Sequence, residues 1–92
     1  MDKKEAQELL DEFARDLQSL SYPKWQKLIG ESQLLERQGP SGVTYQIEWT
    51  AFWDSQAGGD IRVIVSIDDG SLARFMVPIS TSFLISPGDR II

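Results

Sequence analysis

Carboxylates are the side chains in this sequence that could do chemistry unaided. The acids that a hydrolase or a metal site would use are Asp54, Asp60, Asp68 and Asp69, which lie in turn-like stretches, and Glu48. Such residues can act as general acid and base, or bind a hard cation such as Ca²⁺. Asp54 and Asp60 flank a glycine-containing stretch, so a metal- or small-molecule-binding loop at 54–60 is one hypothesis for function. Turns also use Asp and Gly for purely conformational reasons.

The spacing of these acids argues against one shared active site. If residues 61–67 form a strand, a rise of ~3.3 Å per residue puts about 20 Å between the two acidic turns. The sequence also has no histidine and no cysteine. This excludes an imidazole base, a thiolate nucleophile and the usual zinc sites. We therefore predict a protein that is not an enzyme, with no catalytic, cofactor-binding or metal-binding residue.

The charge balance limits the classes of partner. The net charge is −5, and the nine basic residues are scattered along the chain. A negative surface repels phosphate backbones, so we expect no nucleic-acid binding. No stretch approaches the ~20 apolar residues that a membrane span needs, so we expect no membrane insertion and a cytoplasmic location.

Two stretches predict the central hairpin of a sheet. In 43–53 and in 61–67 the apolar residues occupy odd positions, the period of a strand with one buried face. If 54–60 is the loop, Trp53 lies opposite Ile61 and Trp49 opposite Val65. Both apolar sets then share one face, as a consistent register requires.

The next turn, Asp68-Asp69-Gly70, predicts a further strand over 71–79, paired with 61–67. A three-residue loop needs a left-handed residue where Gly70 stands, and it puts Val65 opposite Ala73 and Val63 opposite Phe75. Pro78 would end this strand or mark it as an edge strand. Residues 80–82 would then be a linker into 83–85, and 90–92 would return as a short strand.

Two helices and a first strand precede the hairpin. Apolar residues at three- and four-residue steps predict a helix over 2–20, which fits packing on the protein's own sheet better than a coiled coil. A short helix follows over 23–29, with Trp25 as a core residue. Residues 33–38 are the predicted first strand. Its register stays open: a four-residue loop pairs Leu34 with Ile47, and a five-residue loop pairs Leu35 with Tyr45.

The predicted fold is a single α+β domain over residues 1–92. A long N-terminal helix and a short second helix pack on one face of an antiparallel meander of four or five strands. Ninety-two residues suffice for one core of this kind.

The other face of this sheet carries a candidate interaction surface. Most even positions are polar, but Phe52, Ile64, Leu72 and Met76 are apolar. Together with Arg62 they form the candidate surface. In the predicted registers Arg62 lies opposite both Phe52 and Met76. Exposed apolar patches that contain aromatic, Met and Arg residues are typical of protein interfaces. The alternatives are a contact with a protein partner or a second copy, and cover by the C-terminal segment.

An ordered string of motifs resembles a group of small single-domain bacterial proteins of unknown function. The motifs include Phe52-Trp53-Asp54, Gly58-Gly59-Asp60-Ile61-Arg62-Val63 and Ser66-Ile67-Asp68-Asp69-Gly70. The likeness covers about residues 20–92. It implies a bacterial origin and a helix followed by an antiparallel sheet, but no activity or ligand.

The sequence as a whole favours a non-catalytic protein-interaction module, such as an adaptor, an immunity- or antitoxin-like factor, or a regulatory subunit. The alternative is a small-molecule- or metal-binding domain that uses the loop from Asp54 to Asp60.

Overall fold

The chain forms two helices followed by a four-stranded antiparallel sheet, in a computed structural model that describes residues 3–70 and 79–92. The elements are α1 (Lys3–Leu17), α2 (Tyr22–Leu28), β1 (Ser32–Gln38), β2 (Thr44–Trp53), β3 (Ile61–Asp68) and β4 (Ile79–Ile85). The strands lie in the order β1-β2-β3-β4, which is a meander. The predicted α+β class is confirmed, and the described residues contain four strands without a fifth.

One face of the sheet is buried and the other faces solvent. Every register pairs odd with odd and even with even residues, so each face carries side chains of one parity in all four strands. We call the odd-numbered side the core face and the even-numbered side the second face. Both helices pack on the core face. Its buried strand residues are Tyr45, Ile47, Ala51, Ile61, Val63, Val65, Ile67, Phe83 and Ile85.

Helix α1 covers the core face with one apolar stripe. Its buried residues are Ala6, Leu10, Phe13, Ala14 and Leu17, and the Phe13 ring lies 5.0 Å from the ring of Trp49. The predicted packing of this helix on the sheet is confirmed, although the helix ends three residues before the predicted position 20. The chain forms a tighter turn there, in which the Ser19 and Leu20 N–H groups donate to the carbonyls three residues earlier.

Contacts at its start and in its middle hold helix α2 in place. Its first N–H group, that of Tyr22, donates to the Asp89 carboxylate at 2.6 Å. Gly30, with φ of +83°, follows its C-terminal end. Trp25 is fully buried and meets the Phe83 ring edge-on at 6.1 Å. The prediction that Trp25 is a core residue is confirmed.

The β1–β2 loop has one of the two predicted lengths, but its register differs from both predicted pairings. The loop has five residues, with Gln38 opposite Thr44, and this places Leu35 opposite Ile47. Neither Leu34–Ile47 nor Leu35–Tyr45 forms a pair. The observed register keeps Leu35 on the core face and leaves Leu34 64 % exposed on the second face.

The β2–β3 hairpin has the predicted register. Trp53 lies opposite Ile61, Trp49 opposite Val65 and Ile47 opposite Ile67. The loop between them is closed by a hydrogen bond from the Asp54 N–H to the Asp60 carbonyl, at 2.9 Å.

The predicted partner of β3 is wrong. Its free edge pairs with residues 79–85, so Val63 lies opposite Phe83 and Val65 opposite Thr81. The expected partners Ala73 and Phe75, like Pro78, lie outside the described residues. Residues 80–82, predicted as a linker, belong to β4. Ser80 and Ser82 lie on the second face, and Phe83 and Ile85 are buried on the core face.

The C-terminal segment runs along the outer edge of β4. Ile91 bridges to Ile85, and the Ile92 N–H donates to the Leu84 carbonyl at 2.9 Å. This is the short return expected for 90–92, reduced to an isolated bridge. Because the segment lies at the edge of the sheet, it does not cover the second face.

Candidate interaction surface

The apolar part of the second face is a cluster formed by Phe52, Arg62, Ile64 and Leu84. Phe52 and Leu84 lie directly opposite Arg62 on its two sides, and Ile64 is diagonal to both. Phe52 is 37 % and Ile64 38 % exposed. Because both helices pack on the core face, the described residues leave these side chains open to solvent.

Arg62 is held in place at the centre of this cluster. Its Nε donates to the Asp54 carboxylate at 2.8 Å, and its Nη1 donates to the Ser82 hydroxyl at 3.2 Å. The two bonds span from the β2–β3 loop to β4. An ion pair this exposed adds little stability. The two bonds do fix the guanidinium, which reduces the side-chain entropy lost when a partner binds to Arg62.

The end of the second face near the β1–β2 loop is acidic. Glu36 and Asp68 lie on either side of Gln46, and Glu48 is in the next row. Asp68 also accepts the Gly70 N–H at 2.8 Å, which shapes the turn after β3. The second face therefore has two parts. One is the apolar cluster, in which Arg62 is paired with Asp54, and the other is a negatively charged end.

The structure brings together three of the five predicted surface residues. Phe52, Arg62 and Ile64 are adjacent as expected, whereas Leu72 and Met76 lie outside the described residues. The expected pairing of Arg62 with Met76 is wrong, since Leu84 occupies that position. Sequence reasoning missed Leu84, although its even number in an alternating stretch would have assigned it to this face.

The loop from Asp54 to Asp60 is arranged as a turn. The Asp54 carboxylate binds Arg62, and the Asp54 backbone closes the loop. In the described part of the chain no three His, Cys, Asp or Glu side chains come close enough to hold a metal ion. The loop also receives a bond from the core side, from the Tyr22 hydroxyl to the Gly59 carbonyl at 2.7 Å.

A second polar cluster, which sequence reasoning missed, lies at the start of α1. The Glu5 carboxylate accepts the Tyr45 hydroxyl at 2.7 Å, the Ser41 hydroxyl at 2.6 Å and the Ser41 N–H at 3.0 Å. The bonds from Ser41 and Tyr45 lower the pKa of Glu5 below its usual 4.5. The partners are 36 and 40 residues apart in sequence, so no local signal reveals them. This cluster ties the helix to the β1–β2 loop.

Comparison of the chain with protein-family models, curated proteins and solved structures gave no match. None of the helices in residues 3–70 and 79–92 has the length and apolar character needed to cross a bilayer.

Proposed function

We propose that this protein is a non-catalytic protein-interaction module that binds its partner through the second face. The carrying observation is the cluster of exposed Phe52 and Ile64 and half-buried Leu84 around an Arg62 that is fixed by Asp54 and Ser82. Aromatic residues and arginine are enriched at the energetic centres of protein interfaces.

The chemistry of the second face specifies the partner. The partner presents apolar side chains to Phe52 and Ile64, and basic side chains to the acidic end formed by Glu36, Glu48 and Asp68. Complementary charge raises the association rate and fixes orientation. A bacterial cytoplasmic location belongs to the same proposal, supported by the acidic composition and by the motif likeness described above.

The test compares second-face variants with a control of equal exposure. Tagged wild type, Ile64→Lys and Arg62→Glu are used to isolate partners from a bacterial lysate, together with Ile91→Lys. Ile91 is 40 % exposed, against 38 % for Ile64, but lies at the outer edge of β4. Circular dichroism of each variant checks that the fold is kept.

We expect a basic partner that wild type and Ile91→Lys retain and that both second-face variants lose. With the purified partner, calorimetry should give a Kd at least about tenfold higher for Ile64→Lys, the loss expected for a residue at an interface centre. Binding that is equal for Ile64→Lys and wild type would refute the proposal. Loss of self-association alone would make a second copy the occupant.

A further inference from the structure

The outer edge of β1 offers a row of backbone hydrogen-bonding groups. The Gly39 N–H donates to the Val43 carbonyl, which sets the phase of the β1–β2 ladder. In an antiparallel pair the residues that bond inward alternate with those that bond outward. Gln33, Leu35 and Arg37 therefore bond to β2, whereas the N–H and C=O groups of Leu34 and Glu36 point away from the sheet.

The two edges of the sheet differ in how they are covered. The edge of β4 pairs with the segment that contains Ile91 and Ile92. Within residues 3–70 and 79–92, no hydrogen bond reaches the outward backbone groups of Leu34 and Glu36. Strand β1 is seven residues long without a proline, and its Leu34 side chain is 64 % exposed. Natural proteins normally protect such an edge, because it readily pairs with another strand.

We propose that two copies of this chain pair through β1, antiparallel, about a twofold axis that passes beside Leu34. The two Leu34 side chains then lie opposite each other on the second face. On the core face Gln33 lies opposite Leu35 of the second copy. Glu31, the exposed residue directly before β1, then comes next to Arg37 of the second copy. The twofold axis repeats the Gln33–Leu35 and Glu31–Arg37 contacts, so the interface gains two ion pairs and one Leu34–Leu34 contact in addition to the backbone ladder.

The neighbouring registers are less favourable. An axis at Glu36 places two like charges directly opposite each other, which is destabilising. An axis at Leu35 sets the apolar Leu34 against the Glu36 carboxylate. Arg37, which the Leu34 register uses, packs on α1 in the monomer, where its guanidinium carbon lies 5.8 Å from the centre of the Phe13 ring. Charge complementarity therefore selects both the occupant, a second copy, and the register.

Charge reversal tests the dimer and its register together. Sedimentation velocity over a concentration series measures the Kd of wild type, Glu31→Arg and Arg37→Glu, each alone and then mixed in equal amounts. Each variant alone opposes like charges twice, whereas the mixture restores two opposite-charge pairs. We expect a Kd about tenfold higher for each variant alone, and recovery to near wild type in the mixture.

A proline provides an independent measurement. Leu34→Pro removes an outward N–H without removing a bond to β2, so the monomer should stay folded and the dimer should be lost. Ile64→Lys should leave the dimer unchanged, which distinguishes this interface from the second-face contact. A monomeric wild type at the highest concentration reached would overturn the proposal. So would a dimer that tolerates Leu34→Pro, or variants that the mixture does not rescue.

Discussion

The contact between Phe13 and Trp49 attaches the long helix to the sheet, and its removal should cost much of the stability. Phe13 is 8 % exposed, and its ring lies 5.0 Å from that of Trp49 at an angle of 59°. A buried Phe→Ala change costs ~3–5 kcal/mol, of which the aromatic pairing contributes ~0.5–1.5 kcal/mol. Domains of this size have only ~5–15 kcal/mol in total. We therefore expect Phe13→Ala to lower the Tm by roughly 12–40 °C.

Urea unfolding followed by far-UV circular dichroism measures this loss. Tryptophan fluorescence is less suitable, because the substitution changes the surroundings of Trp49 directly. Ile92→Ala is the control: at 67 % exposure it should change the free energy of unfolding by no more than about 0.5 kcal/mol. The double variant with Trp49→Ala should lose less than the sum of the two single losses. A loss below about 1 kcal/mol for Phe13→Ala would refute the helix-on-sheet packing argument.

Two further predictions concern the Glu5 cluster. Because the folded state lowers the pKa of Glu5, its contribution to stability is complete above pH 4.5 and is lost as the pH falls through the lower folded value. The urea midpoints of wild type and Glu5→Gln should differ at neutral pH and converge in acid; a difference that grows in acid would contradict this. In Gly39→Ala the new Cβ would lie 2.7 Å from a Glu5 carboxylate oxygen and 3.0 Å from the Tyr45 ring. We expect a loss of about 1–3 kcal/mol in urea unfolding, against about zero for Gly88→Ala, which meets nothing within 4 Å. Equal losses in these two variants would refute the steric argument.

The parts of the fold that the sequence predicts are those set by local periodicity. The stripe of α1 and the alternation in β2 and β3 each repeat within one element, and the loop from Asp54 to Asp60 leaves one register that buries both apolar sets. The Phe52–Arg62 pair of the candidate surface followed directly from that register.

The choice of strand beside β3 is not local. Odd-numbered apolar residues occur in 71–79 and again in 79–85, so both segments offer the same parity to the core face. The Asp68-Asp69-Gly70 turn favoured the nearer segment, whereas β3 pairs with the farther one. The contacts of Glu5 with Ser41 and Tyr45 likewise depend on how distant elements meet. Periodicity carries no information about such contacts.

The packing of α1 on β3 and β4 sets the order in which this protein can fold during synthesis. At ~5–20 residues per second, a ribosome takes roughly 3–14 s to travel from Leu17 to Ile85. A 15-residue helix alone in water is only marginally stable. Until β4 has emerged, the stripe of Leu10, Phe13 and Leu17 has no complete surface to cover, and a nascent-chain chaperone can bind it throughout that interval.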